Sequence, residues 1–294
     1  MRVFVTGAAG FIGTATTQEL IANGHEVLGL ARSGANAETL EKMGAKVHLG
    51  SLEDLDSLRK GSKETDGTIH LAFIHDFTKF AENGQIDKHA IEAMGEVLAG
   101  SGKPFIVTSG TLLVAPGRLA TEEDPVMPGL PRVSETAGLA FAARDVRAMA
   151  VRLPQVHGGN GKCGLVTWLL DIAQEKGVSA YIGDGGNRWS GAHRADVARL
   201  YRLALEKGDA GSSYHAVADE GVTMRDVAEI IGRHLKLPVV SISPEEAGAH
   251  FGMMAMFVGL DGAASSALTQ KRLDWKPTQI GLIADISRPG YFDV

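Results

Sequence analysis

The chain has 294 residues, is 44% hydrophobic and 22% charged, and carries a formal net charge of −6. That is the make-up of a globular protein, with material for one large domain or two modest ones. No apolar run approaches the roughly 20 residues that span a bilayer, and a patterned strand from residue 2 leaves no room for a signal peptide. The negative balance has no basic block, which speaks against nucleic acid or an anionic membrane as partner. A single cysteine, Cys163, excludes an internal disulfide and suits a reducing, cytoplasmic setting.

In chain order, strands are predicted at 2–6 (RVFVT), 25–30 (HEVLGL), 45–49 (AKVHL), 67–71 (GTIHL), 104–108 (PFIVT) and 145–152 (DVRAMAVR). Helices are predicted between them at 12–23, 36–43, 53–60, 86–100 and 133–143. This alternation gives right-handed βαβ crossovers and a parallel sheet with helices on both faces, a doubly wound α/β fold. After residue 155 the rhythm loosens. Short strands fall within 178–185, 213–218 and 238–243, with helices at 164–176, 194–207, 223–235 and 244–258. Residues 1–155 therefore read as a doubly wound domain to which 191–220 return. Residues 156–190 and 221–294 read as a smaller C-terminal region covering a substrate.

Between the first strand and first helix stand Gly7, Gly10 and Gly13, spaced G-x-x-G-x-x-G with Phe11 and Ile12 entering the helix. In that context the glycines allow a turn too tight for a Cβ, close approach of backbone to a pyrophosphate, and tight helix-on-strand packing. Free amides and the helix dipole then receive the negative charge. The end of the second strand selects the nucleotide. Where an NAD site carries an acid for the ribose 2′-hydroxyl, this chain has Ala31, Arg32 and Ser33, and no acid before Glu38. Arg32, with Ser33 as second donor, suits the 2′-phosphate of NADP.

With these pieces placed, the chain resembles the extended branch of the short-chain dehydrogenase/reductase superfamily over nearly its whole length, a Rossmann fold. "TGAAGFIG" (6–13) resembles the family's TGxxGFIG. "LGSLEDLDSL" (49–58) resembles its adenine-side G-D-L-x-D turn, with Ser51 at the aspartate position. "IHLAF" (69–73), "IVTSGTLLV" (106–114), "VRLPQVHGG" (151–159), "GAHRADVARLYRLALEKG" (191–208) and "RLDWKPT" (272–278) follow in family order. The resemblance implies a cofactor held by Thr6, Gly7, Gly10, Phe11, Ile12 and Gly13, by Ser51 and Leu52, by Leu71, Ala72 and Phe73, and by Thr108, Pro154 and Val156.

The family's Tyr-x-x-x-Lys pair, in which tyrosine gives a proton to the carbonyl and lysine lowers its pKa, should fall in 127–136. That stretch reads MPGLPRVSET, without tyrosine or lysine. Arg132 falls at the lysine position and Pro128 at the tyrosine position, so the resemblance is to an atypical subgroup. Orientation of the reactants is worth up to roughly 7–11 kcal/mol, whereas a missing general acid forfeits about 10²–10⁴-fold, so reduction is slowed but not forbidden. Substitute acids are Ser109 and Thr111 after the fifth strand, and His75, beside Asp76, after the fourth.

Candidate substrate contacts are Asp76, Phe77, Met127, His157, Trp168 and Trp189, with Phe80, Leu130 and the methionine-rich stretch 250–260 beside them. His193 reads as structural, and Glu122, Glu123 and Asp124 as a solvated loop. No histidine spacing suits a metal, and no G-x-S-x-G elbow is present. The pattern implies an NADPH-dependent carbonyl or imine reductase acting on a mid-sized, largely apolar or aromatic molecule. Two alternatives stay open: a non-redox epimerase, dehydratase or isomerase on the same scaffold, and a non-catalytic NADP(H) sensor. Helices 86–100 and 133–143 are the candidate faces of a homodimer.

Overall fold

In a computed structural model that describes residues 1–159 and 164–292, the apolar runs of the first half close into one parallel sheet. Cys163 lies outside the described residues, as does the side chain of Phe77. The strands of the sheet are β1 (Arg2–Thr6), β2 (Glu26–Ala31), β3 (Lys46–Leu49), β4 (Gly67–His70), β5 (Pro104–Gly110) and β6 (Arg147–Leu153). Beyond the short β7 (Gln155–His157), β8 (Ser179–Ile182) and β9 (Arg188–His193), β10 (Ser213–His215) returns to the sheet as its seventh strand. The order is β10-β6-β5-β4-β1-β2-β3. β1 is central and its residues Val3 to Thr6 are fully buried, which is why it reads as unbroken apolar sequence.

Helices α1 (Phe11–Ala22) and α2 (Gly34–Lys42) cover one face. α3 (Leu55–Lys63), α4 (Phe80–Leu98) and the short α5 (Ser134–Leu139) cover the other. After α6 (Gly164–Lys176), α7 (Arg194–Lys207) packs beside α1 on the first face. Strand order reverses between β4 and β1, so the carboxyl ends of these strands bound the crevice where such folds take ligands.

The C-terminal region has its own core, formed by Val166 and Leu170 of α6, Trp189 of β9, and Val227 and Ile231 of α8 (Met224–Leu235). Its strands form two small sheets: β7, β9 and β11 (Asp219–Thr223), and β8 with β12 (Val239–Ile242). Its ties to the main sheet include one through α7. The buried Asp196 carboxylate at the start of α7 accepts the backbone amides of Thr278 and Gln279, and the Trp275 indole donates to the Asp196 carbonyl at 2.9 Å. Among the described residues, no helix is long and apolar enough to cross a membrane.

Three expectations need correction. The helix expected at 244–258 is broken into α9 (Ala247–Phe251), a 3-10 turn and α10 (Ala255–Val258), because Gly252 takes φ +55°, ψ −131°, a conformation closed to side-chain-bearing residues. The sixth strand starts at Arg147, since Asp145 is left-handed at φ 55°. The strands β7, β9 and β11 lack the alternation that marks longer strands, and the short α11 (Ala267–Leu273) and α12 (Leu282–Ile286) add to the predicted helices.

Candidate functional site

A cleft of about 810 Å³ runs over the carboxyl ends of β1, β2, β4 and β5. At one end it is made of backbone. Gly7 is left-handed at φ +67°, and a Cβ there would stand 2.8 Å from the Ala72 amide. A Cβ on Gly13 would stand 1.9 Å from the Gly7 carbonyl oxygen. The first turn of α1 has no side-chain cap, so the amides of Phe11, Ile12 and Gly13 border the cleft as open donors. Arg32, just beyond β2, lines the same end with Asn36. Its guanidinium has no hydrogen bond or ion pair among the described residues. Ser51 and Leu52 complete this wall.

At the other end the wall is side chains. Ser109, Thr111, Leu71, Ala72, Phe73, Thr108, Pro154, Val156, Trp168 and Trp189 all border it. The Ser109 hydroxyl makes no hydrogen bond to protein among the described residues, whereas the Thr111 hydroxyl is tied to the Leu153 carbonyl (3.3 Å) and to Ser190 Oγ (3.0 Å). No tyrosine and no lysine of the described residues lines the cleft. Tyr201 comes nearest in the network, bonding Thr108 Oγ1 at 2.8 Å. It is fully buried, which pushes its pKa up and keeps its proton in place.

Arg132 stands at this end with its guanidinium 4.0 Å over the Phe73 ring. Its Nη2 donates to the Thr108 carbonyl at 3.1 Å and its Nε to Ser134 Oγ at 2.8 Å. Burial draws its pKa down, and the Asp87 carboxylate opposes that. His75 sits where the cleft opens into a second chamber of about 600 Å³, whose wall includes Phe80, Trp168, Phe251, Met253, Met256 and Phe257. Burial, reinforced by the Arg132 charge, holds His75 below the ordinary histidine value, so at neutral pH it is a neutral hydrogen-bonding group.

Other expected site residues stand elsewhere. Thr6 is buried beneath the glycine turn, bonding His70. Ser33 is the N-cap of α2, accepting the Asn36 amide, and is not a cleft wall. Asp76 caps the 3-10 turn at 77–79 and borders the second chamber. Met127 is not on the cleft wall, which is formed there by Val126 and Leu130. His157 is no pocket border either: it is buried with Nδ1 2.7 Å from Asp285 Oδ2. Glu122 is not solvated but buried, accepting the Thr269 amide. His193 caps α7.

The residue that escapes the sequence reading is Asp87, fully buried on α4. Its signal is present: it stands at i relative to Ala90, Ile91, Met94 and Leu98, all buried, so an acid occupies the apolar stripe.

A doubly wound sheet with this cradle and a covering C-terminal region defines an extended short-chain dehydrogenase/reductase. The model of the NAD dependent epimerase/dehydratase family matches residues 3–109. An uncharacterised protein of Schizosaccharomyces pombe is 49% identical over 99% of this chain and 100% of its own. The sterol-4-alpha-carboxylate 3-dehydrogenase, decarboxylating, of Dictyostelium discoideum is 28% identical over 76% of this chain and 73% of its own. A 4-hydroxy-2-methyl-3-oxo-4-farnesyl-3,4-dihydroquinoline-1-oxide ketoreductase of Stigmatella aurantiaca is 26% identical over 86% and 80%. The dTDP-glucose 4,6-dehydratase DesIV of Streptomyces venezuelae, solved with NAD and TYD bound, shares the fold with a TM-score of 0.75 at 20% identity, covering 98% and 95%. The chain belongs to the NAD dependent epimerase/dehydratase family, whose members are NAD(P)-dependent oxidoreductases and epimerases.

Proposed function

We propose that this chain is an NADPH-dependent reductase of apolar oxo compounds. The observation that carries the reading is one continuous cleft. It has Arg32 at its adenine end and Arg132 with the Ser109 hydroxyl at its far end, Arg32 and that hydroxyl having no partner among the described residues, and an apolar chamber opens beyond them. The glycine cradle fits a dinucleotide, since a Cβ at Gly7 or Gly13 would collide with backbone. The open amides of α1 would hold the pyrophosphate and Arg32 the 2′-phosphate. NADPH bound there supplies a hydride to a carbonyl carbon.

The protein's part is to orient the ketone and balance charge. Ser109 donates a hydrogen bond to the carbonyl oxygen and passes it the proton that completes the alcohol, regaining one from solvent, while the Arg132 guanidinium offsets the negative charge that grows there. Together they act where the family's tyrosine would. Neutral His75 adds a hydrogen bond at the chamber entrance, and Trp168, Phe80 and Phe257 keep water from the reacting end. The methionines and phenylalanines of the chamber suit an alkyl or polycyclic body. Two relatives are named for such substrates, a sterol carboxylate and a farnesyl-bearing oxo-quinoline.

The test is to follow NADPH absorbance across ketones of increasing apolar size. Turnover that rises with chain length, and a fall of about 10²-fold in kcat for Ser109→Ala, is the expected result. Tight NADPH binding without oxidation by any ketone would point to the sensor. Product without net nucleotide consumption would point to an isomerase.

A further inference from the structure

We propose that Asp87, acting through Ser134, is the positioning residue that aims the Arg132 guanidinium at the nicotinamide half of the bound nucleotide. This rests on reading the cleft as an NADPH site.

The hydrogen-bond directions along the chain of groups are fixed by chemistry. The His70 ring lies between Thr6 Oγ1, 2.7 Å from Nδ1, and Asp87 Oδ1, 3.1 Å from Nε2. An ionised carboxylate only accepts, so Nε2 carries the proton and donates. Thr6 Oγ1 also receives the Ala72 amide at 3.2 Å. On the other side, Ser134 Oγ donates to Asp87 Oδ2 at 2.5 Å. With that proton spent, Ser134 Oγ presents lone pairs, and Arg132 Nε–H donates into them at 2.8 Å. From His70 to Arg132 each link has one sense, and the chain ends in a cation.

Asp87 is ionised within this chain. Burial pushes its pKa up, but hydrogen bonds from His70 and Ser134 and the nearby charges outweigh burial and hold it below the ordinary carboxylate value. It is the counter-charge of Arg132 at one remove. The indirect arrangement has a consequence that a direct ion pair would not. A carboxylate against the guanidinium would take two of its N–H groups in a fork. Through the serine, Arg132 spends only Nε–H there, and one Nη2–H on the Thr108 carbonyl. Of its five N–H groups, three have no partner among the described residues, while Phe73 holds the plane from one face. The guanidinium is thus neutralised, oriented and still open to a ligand. The chain also begins at Thr6, immediately before the glycine turn, so the two ends of the cleft are joined through buried polar contacts.

The experiment titrates wild type, Asp87→Asn, Ser134→Ala and Ser134→Thr by calorimetry with two probes, NADPH and adenosine 2′,5′-bisphosphate, which lacks the nicotinamide half. The expected result is that Asp87→Asn and Ser134→Ala weaken NADPH about tenfold or more while leaving the bisphosphate within about twofold. Ser134→Thr, which keeps the hydroxyl, retains wild-type affinity for both. If Asp87→Asn fails to fold, the two serine variants decide alone. Equal loss for both probes, or unchanged NADPH binding by Ser134→Ala, overturns the inference. Wild type binding neither probe overturns the cofactor reading, and the inference with it.

Discussion

The adenine end of the cleft and its nicotinamide end are built from different material. The first is backbone: three glycines within seven residues, the uncapped start of α1, and one arginine at the end of the neighbouring strand. The second is a lattice of side chains drawn from separate segments, with Thr6, His70, Asp87, Thr108, Arg132 and Ser134 meeting only in the folded state. A backbone site tolerates no added atoms, but its ligand contacts do not depend on side-chain identity. A side-chain site depends on which residues supply its donors, and no tyrosine or lysine of the described residues lines this cleft.

The sharpest way to break this contrast is at Gly13. Gly13→Ala puts a methyl 1.9 Å from the Gly7 carbonyl oxygen, against Gly7–Ala8 backbone that cannot turn away as a flexible side chain could. We expect NADPH affinity to fall about 100-fold or more, and stability to drop by about 1–3 kcal/mol, as for overpacked cores. Calorimetry and a urea melt measure both. An alanine variant binding like wild type would remove the claim that the cradle is too tight for a side chain.

Arg32 is the side-chain exception at the backbone end, and its effect should be smaller and selective. Removing charge-assisted hydrogen bonds to a 2′-phosphate costs about 1.5–3 kcal/mol, so Arg32→Ala should weaken NADPH about 10- to 100-fold. NADH, which lacks that phosphate, should bind the variant and the wild type alike. Parallel losses for the two nucleotides would assign Arg32 to general attraction rather than to nucleotide choice.

The same contrast explains what could be read before folding. Glycine spacing is local, and so are the caps of α7, where His193 and Gly208 bound a helix expected and found at 194–207. Apolar runs such as 104–108 mark buried strands because both faces of a parallel sheet are covered. The nicotinamide end has no such local record. Arg132 follows a proline-rich loop, His70 sits in an apolar strand, and Asp87 lies 45 positions from Arg132. Only the acid in the apolar stripe of α4 hints that a buried polar network exists. Nor does sequence register that Gly252 splits the methionine-rich helix, which turns Met253 and Met256 outward, 50% and 60% exposed, toward the second chamber.

The smallest expected effect concerns a second buried network, which ties β6 to the C-terminal region. Arg152 pairs with Glu135 at 2.6 Å and donates through Nη1 to His215 Nε2 at 3.1 Å, while His215 Nδ1 donates to the Ser265 carbonyl at 2.7 Å. An arginine only donates and a carbonyl only accepts, so His215 is neutral with its proton on Nδ1. Burial first, then the Arg152 charge, lowers its pKa from 6.5, against the weaker pull of Glu122 and Glu135. With the folded value below the unfolded one, the unfolded chain takes up the proton first as pH falls. The contribution of neutral His215 is therefore complete above 6.5 and is lost progressively below it. The depressed carboxylates act only near and below their ordinary values, 3.8 for aspartates such as Asp87 and 4.5 for glutamates such as Glu206, outside this window. Depressed His75, His193 and His250 add to the slope in the same direction. Between about pH 7.5 and about pH 5.5 the His215 share falls with pH, and because only the unit below 6.5 contributes it is bounded at about 1.4 kcal/mol. His215→Gln, which can still accept from Arg152 and donate to Ser265, should flatten the urea midpoint against pH by that share. If wild type and variant give parallel curves, the His215 proton plays no part in holding the two regions together.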